Sequence, residues 1–408
     1  MKILNKFLKI IKGKSDPLKI SIIGFGVVGK HTLNTMLKNI ISSQGSEEID
    51  YHFVCFDIND KVLKLGSDTY SFLHNRKNIQ ISLTTDENQM RDSDLFFICV
   101  NTDANKDTSA LINPLAAVFF SIINQRKKDS KIIMRSTVEV GTCEKIERMI
   151  DIKVGNIPER VDPFNLGNKE YPLVYGGDQI ILGFLYNNFL FTNFERITTD
   201  TKVTEAMKLV ENTQRYAILH INNMIHLRLD ELGLDTQEVF ELCETKPNFV
   251  KTTPGFIGGN CIGIDDKYFI NARNLLNDKS RPHVRLMKSI NDFDKELYNK
   301  YFNEIYYVIL NDFNKGIFHR EIIIYGLSYK KNCSSLSNST HLRFAKELRR
   351  KLVKEFGIKI RFFDENYNSM KKIPSDFIER AEWIILRNDN PILIDSLKER
   401  NIILYKLF

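Results

Sequence analysis

The feature that most constrains the fold is a short apolar run followed at once by three closely spaced glycines. The run covers residues 20–23, the glycines are Gly24, Gly26 and Gly29, and helical spacing of apolar residues begins at Leu33. This order predicts a strand, a tight turn and a helix start, because glycine adopts backbone conformations that other residues avoid. Backbone N–H groups at such a helix start hold the pyrophosphate of a dinucleotide. The predicted contacts come from Gly24, Gly26, Val27, Val28 and Gly29.

Asp57 follows the second predicted strand, which covers the apolar residues 52–56. A carboxylate at that point accepts hydrogen bonds from a ribose hydroxyl and repels a 2′-phosphate. The sequence therefore predicts NAD, rather than NADP, as the cofactor. The interval from Gly29 to Asp57 is long, and we interpret the polar residues 42–50 as an inserted loop that accounts for it. The alternative is that Asp57 only forms a turn.

Further strands and one long helix predict the rest of the architecture. Apolar runs predict strands at 94–100 and 131–134, and three more at 321–327, 360–363 and 383–386. Between these groups, apolar residues recur at helical spacing from 199 to 232, which is typical of one long helix. Because 408 residues exceed what one core usually holds, two or three domains are expected. The predicted fold is α/β, with two Rossmann-like, doubly wound parallel-sheet domains joined by the long central helix and a helical middle domain.

We predict four segments along the chain. They are a basic amphipathic extension over 1–17, a first doubly wound domain over 18–197, the helical domain over 198–300 and a second doubly wound domain over 301–408. The first fourteen residues carry apolar side chains on one helical face and lysines on the other. Packing against the protein itself or a partner subunit is the commoner use of such a helix, and binding to a membrane surface is the alternative.

Composition excludes several classes of protein. Hydrophobic residues make up 43% and charged residues 27%, a globular balance that excludes a disordered chain. No apolar run approaches the ~20 residues of a membrane helix, and no signal-peptide pattern opens the chain. The six cysteines have no paired spacing, which predicts reduced thiols in the cytoplasm and no metal site. The net charge of +7 is mild and suits an anionic small-molecule ligand, so no nucleic acid is predicted as a partner.

One cysteine stands inside a densely glycine-rich stretch, residues 253–266. Cys261 follows Gly258 and Gly259, and Asp265 lies four residues further on. Glycines let the backbone approach a ligand closely, and exposed N–H groups beside a thiol favour the thiolate. The stretch therefore predicts a reactive thiol. The alternative is a buried structural cysteine in a glycine-rich loop.

This stretch resembles the nucleophile loop of the UDP-glucose/GDP-mannose dehydrogenase family. The resemblance rests on Pro254-Gly255, Ile257-Gly258-Gly259, Cys261-Ile262 and Asp265. It implies that the C6 alcohol of a nucleotide sugar is oxidised to a carboxylate through a thioester on Cys261, with two NAD consumed per sugar. The chain departs from the family at Asn260, where His is usual, and at Gly263 and Asp266, where Pro is usual.

The resemblance extends to other turns and to the long helix. Thr102 matches a cofactor-contacting Thr, Ser136-Thr137 match a Ser-Thr-Val run, and Pro158-Glu159 match the catalytic acid. On the helix, Lys208 and Asn212 match a Lys…Glu-Asn pattern. Two further departures are Asp103 and Glu139, each of which replaces a proline of the family.

The resemblance also implies a role for each matched residue. Cys261 is the nucleophile, Lys208 stabilises the negative oxygen on C6, and Asn212 orients the sugar. Asp265 and Thr137 hold the water, and Glu159 shuttles protons during thioester hydrolysis. The implied substrate contacts are Glu159, Arg160, Lys208, Asn212, Gly258, Gly259 and Lys330.

The second doubly wound domain is implied to hold the nucleotide of the substrate, and here the match is thinner. The family's Asp-Asp-x-Arg is replaced by residues 334–337, so that Ser337 stands in place of an arginine. Asn248 aligns with an arginine that family members supply from the partner subunit. The family also implies a homodimer formed through the central helical domain.

The residues after Glu159 indicate the substrate. Enzymes that act on UDP-glucose usually follow this Glu with Phe-Leu, whereas residues 158–163, Pro-Glu-Arg-Val-Asp-Pro, resemble the branch that acts on UDP-GlcNAc and UDP-ManNAc. Arg160 offers donors for an acetamido carbonyl or the diphosphate. Phe164 departs from this branch, which usually has Gly there. We expect a UDP-N-acetylhexosamine 6-dehydrogenase that supplies polysaccharide precursors, with UDP-glucose 6-dehydrogenase as the runner-up.

Two rival functions follow from the departures. A catalytically silent nucleotide-sugar-binding homologue is favoured by Asn248, Asn260 and Ser337. NADH absorbance with a panel of nucleotide sugars separates it from the enzyme. An ordinary one-step NAD dehydrogenase with a structural Cys261 leaves the glycine-rich loop unexplained, and it would give one NADH per sugar instead of two.

Overall fold

A computed structural model describes most of the chain. The described residues are 16–64, 77–102, 115, 117–119, 121–122, 126–160, 171–259, 262, 265–271, 281–317, 321–330, 333, 336–364, 381–387, 390–400 and 402–408. The chain divides into an N-terminal unit, Met1–Pro163 with Gly167–Leu209, and a C-terminal unit, Phe164–Leu166 with Val210–Phe408. The predicted amphipathic helix at 1–14 lies outside the described residues. The predicted domain boundaries at 197 and 300 remain predictions.

An eight-stranded sheet forms the framework of the N-terminal unit. Its strands are β1 Leu18–Ile23, β2 Tyr51–Phe56, β3 Ile79–Thr84, β4 Leu95–Ile98, β5 Lys131–Met134, β6 Val154–Asn156, β7 Leu173–Gly176 and β8 Phe194–Thr198. They lie in the order β3-β2-β1-β4-β5-β6-β7-β8, and every neighbouring pair is parallel except β6 with β7. The helices are α1 Val27–Ser42, α2 Asp60–Lys64, α3 Thr142–Ile150 and α4 Gln179–Asn187.

Both faces of this sheet are buried, which explains why its central strands are apolar throughout. Successive side chains of a strand point to opposite faces. Phe97 accordingly packs into one core cluster, together with Ile22, whereas Phe96 packs into another, together with Ile23. A parallel sheet covered on both faces is the doubly wound arrangement that the sequence predicts. The predicted fold class is confirmed for this unit.

The long helix predicted between 199 and 232 is also confirmed. It is α5, Thr201–Glu231, with 31 residues. The boundary between the two units, at Leu209 and Val210, falls inside this helix. Among the described residues, no helix has the length and apolar character required to cross a membrane.

The C-terminal unit has its own four-stranded parallel sheet. Its strands are β9 Glu321–Tyr325, β10 Lys359–Phe363, β11 Glu382–Ile385 and β12 Ile403–Lys406, in the order β10-β9-β11-β12. The helices of this unit after α5 are α6 Thr236–Cys243, α7 Asp265–Asn271, α8 Pro282–Asn314, α9 Thr340–Phe356 and α10 Pro391–Glu399.

This sheet is covered on both faces as well. Ile322 and Ile324 of β9 pack into one cluster, and Ile323 and Tyr325 pack into the other. The single tryptophan of the chain, Trp383, is fully buried on β11. The sequence predicted β9, β10 and β11 but missed β12, which pairs with β11 at the edge of the sheet.

Candidate active site

The turn after β1 has the geometry of a dinucleotide site. Gly24 has φ +89°, and a Cβ on it would lie 2.6 Å from the Cys99 carbonyl oxygen. A Cβ on Gly29 would lie 2.1 Å from the Gly24 carbonyl oxygen, because α1 packs directly on the turn. Gly26, the N-cap of α1, faces open space. The first and third glycines therefore serve packing, and the second leaves the helix start accessible to a pyrophosphate.

Asp57 lies directly beside this turn. Its Oδ2 accepts a hydrogen bond from the Phe25 N–H at 2.8 Å, and its Oδ1 accepts one from the Asn59 N–H at 2.9 Å. The neighbouring side chains of Val27 and Ile58 are 56% and 90% exposed. A carboxylate at the end of β2, next to exposed apolar side chains, fits the ribose and adenine of NAD. The residues present therefore fit the predicted cofactor.

The loops after β4 and β5 are tied to each other. Thr102 Oγ1 donates to the Thr137 carbonyl at 2.6 Å, and Ser136 Oγ donates to the Val100 carbonyl at 2.7 Å. Thr102 is buried, and Thr137 is half-buried. These bonds hold Thr137 at the carboxyl end of the central strands, where ligands bind in doubly wound sheets. Asp103 lies outside the described residues.

A buried carboxylate fixes the start of α5 within the N-terminal unit. Glu205 is 2% exposed and accepts hydrogen bonds from the Gly141 N–H at 2.5 Å and the Cys143 N–H at 2.7 Å. These N–H groups belong to the start of α3, where a carboxylate satisfies orphan donors and complements the helix dipole. Burial raises the pKa of the Glu205 carboxyl. The contact holds the turn of α5 that carries Lys208 against the loop that follows Thr137.

Glu159 is bound on both of its oxygen atoms. Its Oε2 pairs with the guanidinium of Arg135 and lies 3.0 Å from His31 Nδ1. Its Oε1 accepts a hydrogen bond from the Arg160 N–H at 2.9 Å. Glu159 follows β6, Arg135 follows β5, and His31 lies on α1, so three neighbouring elements meet at this carboxylate. The sequence analysis predicted Glu159 as a site residue but singled out neither of its partners.

Arg135 is the anchor of this group. It is 1% exposed, and it donates to the Ile157 carbonyl at 2.9 Å and to Thr32 Oγ1 at 3.1 Å. Its guanidinium lies 5.6 Å from the centre of the Phe191 ring. A buried guanidinium needs a counter-ion, and Glu159 supplies it. The position of Glu159 is therefore fixed by a buried ion pair.

A pocket opens beside Glu159. The Arg160 guanidinium donates to the Pro172 carbonyl at 3.0 Å and lies 5.9 Å from the centre of the Tyr171 ring. The residues that line the pocket are His31, Thr35, Pro158, Glu159, Arg160, Tyr171, Pro172 and Leu173. Residues 161–164, which complete the sequence motif after Arg160, lie outside the described residues.

In the C-terminal unit, Asn212 of α5 donates a hydrogen bond to the carboxylate of Asp265 at the start of α7. Asp265 is 3% exposed, and Asn212 is half-buried. The next residue, Asp266, is 1% exposed, and burial raises the pKa of its carboxyl. The structure thus brings together two residues, 53 positions apart, that the sequence predicted separately.

The glycine-rich stretch is held at both of its described ends. The buried Asn223 side chain accepts from the Gly255 N–H and donates to the Gly255 carbonyl, both at 2.9 Å. Further on, Gly259 has φ +105°, and its N–H donates to the Asn338 carbonyl at 3.0 Å. A Cβ on Gly258 would lie 3.0 Å from that same carbonyl oxygen. These two glycines are therefore needed for close backbone packing. Asn260, Cys261 and Gly263 lie outside the described residues.

Lys330 lies near this packing contact in the same unit. Its ammonium is 6.0 Å from the centre of the Tyr329 ring, and the same ring would lie 3.0 Å from a Cβ on Gly259. The Lys330 carbonyl accepts from the Arg387 guanidinium at 3.1 Å. Asn248 and Ser337, which replace arginines of the resembled family, are both exposed. No cluster of His, Cys, Asp and Glu among the described residues is arranged to hold a metal ion.

Comparison with protein-family models gives two matches to one family. The NAD-binding domain of the UDP-glucose/GDP-mannose dehydrogenase family matches residues 18–185, and the central domain matches residues 202–293. The chain belongs to this family. It is therefore an NAD-dependent dehydrogenase of nucleotide sugars, and the matched NAD-binding domain contains the glycine turn beside Asp57.

Curated relatives cover most of the chain. It is 26% identical to protein CapL from Staphylococcus aureus, over 84% of this chain and 80% of the relative. It is 25% identical to a UDP-N-acetyl-D-mannosamine dehydrogenase from Pyrococcus horikoshii, over 92% and 90%. A UDP-D-ManNAc dehydrogenase structure from Pyrococcus horikoshii has a TM-score of 0.72 at 21% identity, covering 93% of both chains. This last likeness shows the shared fold.

The sequence analysis missed the residues that hold the predicted site residues in place. Arg135 and His31 were not singled out, although Arg135 directly precedes the matched Ser136-Thr137. Glu205 lies three residues before the matched Lys208, but the sequence assigned it no role. Arg135 could have been identified because it directly follows a predicted buried strand, and a buried charge requires a partner. No local signal could have identified His31, whose partner Glu159 is 128 positions away.

Proposed function

We propose that the chain is a UDP-N-acetylhexosamine 6-dehydrogenase that oxidises the C6 alcohol of its substrate to the uronic acid. The observation that carries this proposal is the carboxylate of Glu159, fixed by Arg135 in a pocket next to Arg160. Relatives support the class of substrate, since those at 24–26% identity include UDP-N-acetyl-D-glucosamine 6-dehydrogenases and UDP-N-acetyl-D-mannosamine dehydrogenases. A product with a carboxylate at C6 fits a supply of polysaccharide precursors.

Three residues carry the proposed oxidation. NAD, when bound, accepts a hydride in each of the two oxidations. Cys261 adds as a thiolate to the aldehyde carbon, because an aldehyde needs an added nucleophile before its second hydride can leave. Lys208 stabilises the negative oxygen on C6 in each step. Asn212 orients the sugar, and its hydrogen bond to Asp265 supports that role by fixing the amide.

Hydrolysis then releases the product. Thr137 and Asp265 hold the water that attacks the thioester, and Glu159 manages the protons. The bonds that fix Thr137 to Thr102, and Glu159 to Arg135, support these positions. Gly258, Gly259 and Lys330 complete the proposed substrate contacts, within a C-terminal domain over 301–408 that holds the nucleotide.

Arg160 is proposed to recognise the acetamido group. Its guanidinium lies at the pocket rim, against Tyr171 and the Pro172 carbonyl, and the N–H groups of a guanidinium suit a carbonyl oxygen of the substrate. A pocket built around an acetamido group leaves polar groups unpaired when UDP-glucose binds, and such groups cost about 1–3 kcal/mol each. UDP-glucose is therefore the weaker substrate.

Initial rates with three sugars test the proposal. We expect kcat/KM for UDP-GlcNAc or UDP-ManNAc to exceed that for UDP-glucose, with two NADH formed per sugar. Cys261→Ser should bind NAD normally and release no uronic acid. Faster turnover of UDP-glucose than of both acetamido sugars would refute the substrate. No NADH with any sugar, together with tight UDP-sugar binding, would favour the catalytically silent homologue, which the exposed Ser337 and Asn248 suggest.

We further propose a homodimer through the central helical domain, over 198–300. Exposed apolar side chains support it: Ile221, Met224, Leu232, Leu234 and Leu242 are 49–68% exposed on α5, on α6 and in the turn that joins them. Large apolar side chains exposed along one segment favour a protein partner. Sedimentation equilibrium tests the dimer, and a monomer mass at micromolar concentration would exclude it. A cytoplasmic location is proposed from the free thiols of Cys55, Cys99, Cys143 and Cys243.

A further inference from the structure

The first turn of α1 contains no acidic side chain and no side-chain cap. Gly26, the N-cap residue, has no side chain that could accept from the N–H groups of this turn. The first hydrogen bond within the helix runs from the Lys30 N–H to the Gly26 carbonyl at 3.0 Å. The N–H groups before it have no acceptor within the helix, and they form the positive end of the helix dipole.

Lys30 adds a full positive charge to this same turn. It is the fourth residue of α1, and a cation at the start of a helix is unfavourable because it opposes the helix dipole. Lys30 forms no ion pair with any residue that the structure describes. A charge that destabilises its own helix and has no counter-charge in the protein is a local conflict, and such conflicts are expected at functional sites.

The Lys30 side chain lies beside the glycine turn. Its ammonium is 5.9 Å from the centre of the ring of Phe25, the residue between the first two glycines. Side chains of a helix tilt towards its N-terminus, which is the direction of this turn. The space around Gly26 is open, and Lys30 is half-buried. The nearby carboxylate, Asp57, already accepts from two backbone N–H groups at the end of β2.

We propose that Lys30 is a cofactor-binding residue whose ammonium pairs with the diphosphate of NAD. The matched NAD-binding domain contains the whole first turn of α1. NAD, when bound, brings the negative charge of its diphosphate to the start of this helix. The lysine that is unfavourable in the free protein then gains a counter-charge. The inference adds a residue outside the glycine fingerprint, and it does not depend on which sugar the enzyme oxidises.

Calorimetric titration of Lys30→Gln tests the pairing, because glutamine keeps a polar side chain and removes the charge. We expect the Kd for NAD to rise about tenfold. ADP, which carries a diphosphate, should lose a similar factor, whereas adenosine should bind the wild type and the variant equally. The difference in NAD affinity should shrink between about 0.02 and 0.3 M salt, since salt screens an accessible ion pair.

Two further variants are controls. Lys38→Gln removes a lysine from an exposed position of the same helix, about two turns further on, and should leave the Kd for NAD unchanged. Lys30→Arg keeps the positive charge and should bind NAD within about threefold of the wild type.

Thermal unfolding gives a readout that does not depend on activity. Without NAD, Lys30→Gln should unfold about 1–3 °C higher than the wild type, because the cation is removed from the start of α1. In saturating NAD the order should reverse, since the wild type binds the cofactor more tightly. Lys38→Gln should show no such reversal.

Three results would overturn the role of Lys30. One is an NAD affinity of Lys30→Gln within about twofold of the wild type. Another is an equal loss of affinity for NAD and for adenosine, because the lysine would then act on the adenosine half or on the fold of the turn. The third is a loss in Lys30→Arg as large as that in Lys30→Gln. The proposed sugar oxidation is tested separately, by the NADH and uronic acid formed from UDP-sugars, and stands or falls independently of these results.

Discussion

The turn after β1 and the turn after β9 are built alike, but an arginine side chain packs into the second and not into the first. Each begins with a glycine in the left-handed region, Gly24 at φ +89° and Gly326 at φ +84°. In each, an aspartate at the end of the neighbouring strand accepts a hydrogen bond from a turn N–H at 2.8 Å, Asp57 from Phe25 and Asp364 from Ser328. In both units, the chain thus leaves a parallel strand through a glycine turn that is hydrogen-bonded to an aspartate after the neighbouring strand.

The difference lies in what occupies the space in front of the turn. After β1, α1 begins at once and Gly26 faces open space. After β9, the Arg387 side chain fills the turn, donating to the Ser328 carbonyl at 3.0 Å and lying 3.6 Å from Asp364. Asp364 is fully buried, whereas Asp57 is half-buried. A strand, a glycine and an aspartate therefore do not define a dinucleotide site unless a helix start remains free.

The largest effect is expected from removing the arginine that closes the second turn. Arg387→Met should lower the free energy of unfolding of the C-terminal unit by about 3–5 kcal/mol, because it removes a positive charge 3.6 Å from the buried carboxylate of Asp364. Denaturant titration followed by the fluorescence of Trp383 measures this unit alone, since the chain has one tryptophan. Arg350→Met, at an exposed position of α9, is the control and should change little. Equal effects of the two substitutions would show that Arg387 does not hold the turn closed.

The glycines of the two turns provide the next test. Gly24→Ala should destabilise the N-terminal unit by about 2–4 kcal/mol, from the positive φ and from overpacking against the Cys99 carbonyl. Gly26→Ala should leave stability within about 0.5 kcal/mol, since φ is −72° and its surroundings are open. It should nevertheless weaken NAD binding, because the methyl group occupies the approach of the pyrophosphate.

Gly326→Ala completes this set. A Cβ there would lie 2.7 Å from Arg387 Cβ, so the C-terminal unit should lose stability while NAD affinity stays at the wild-type value. Calorimetric titration with NAD and thermal unfolding together separate the three variants. The comparison breaks down if Gly26→Ala binds NAD as tightly as the wild type, or if Gly326→Ala loses NAD binding.

The smallest effect is expected at the open aspartate. Asp57→Asn keeps an oxygen acceptor for the Phe25 N–H, so stability should hardly change. Loss of the charge should shift the preference between NAD and NADP towards NADP by roughly tenfold, or about 1.4 kcal/mol. The ratio of kcat/KM for the two cofactors measures it. An unchanged ratio would mean that Asp57 does not face the ribose.

The sequence predicted the features that depend on neighbouring residues, but it did not predict contacts between residues that are far apart along the chain. The strand, the glycines and Asp57 were predicted because each depends on neighbours along the chain. The pairing of Asn212 with Asp265 was not predicted, since it requires the packing of α5 against α7. The role of Glu205 was not predicted either, because its hydrogen-bond partners at the start of α3 are more than 60 positions away along the chain. Cys261, the centre of the predicted chemistry, rests on its sequence context alone.

The edge strand β10 has a consequence for how this chain behaves at high concentration. Lys359 and Arg361 are exposed on it, and Lys359 pairs with Glu321 of β9 at 2.7 Å. An edge strand is a template on which another chain can add its own strand. Two copies that joined along β10 would bring their cationic side chains together, and like charges on paired strands repel. The charges on β10 therefore oppose aggregation through this edge of the sheet.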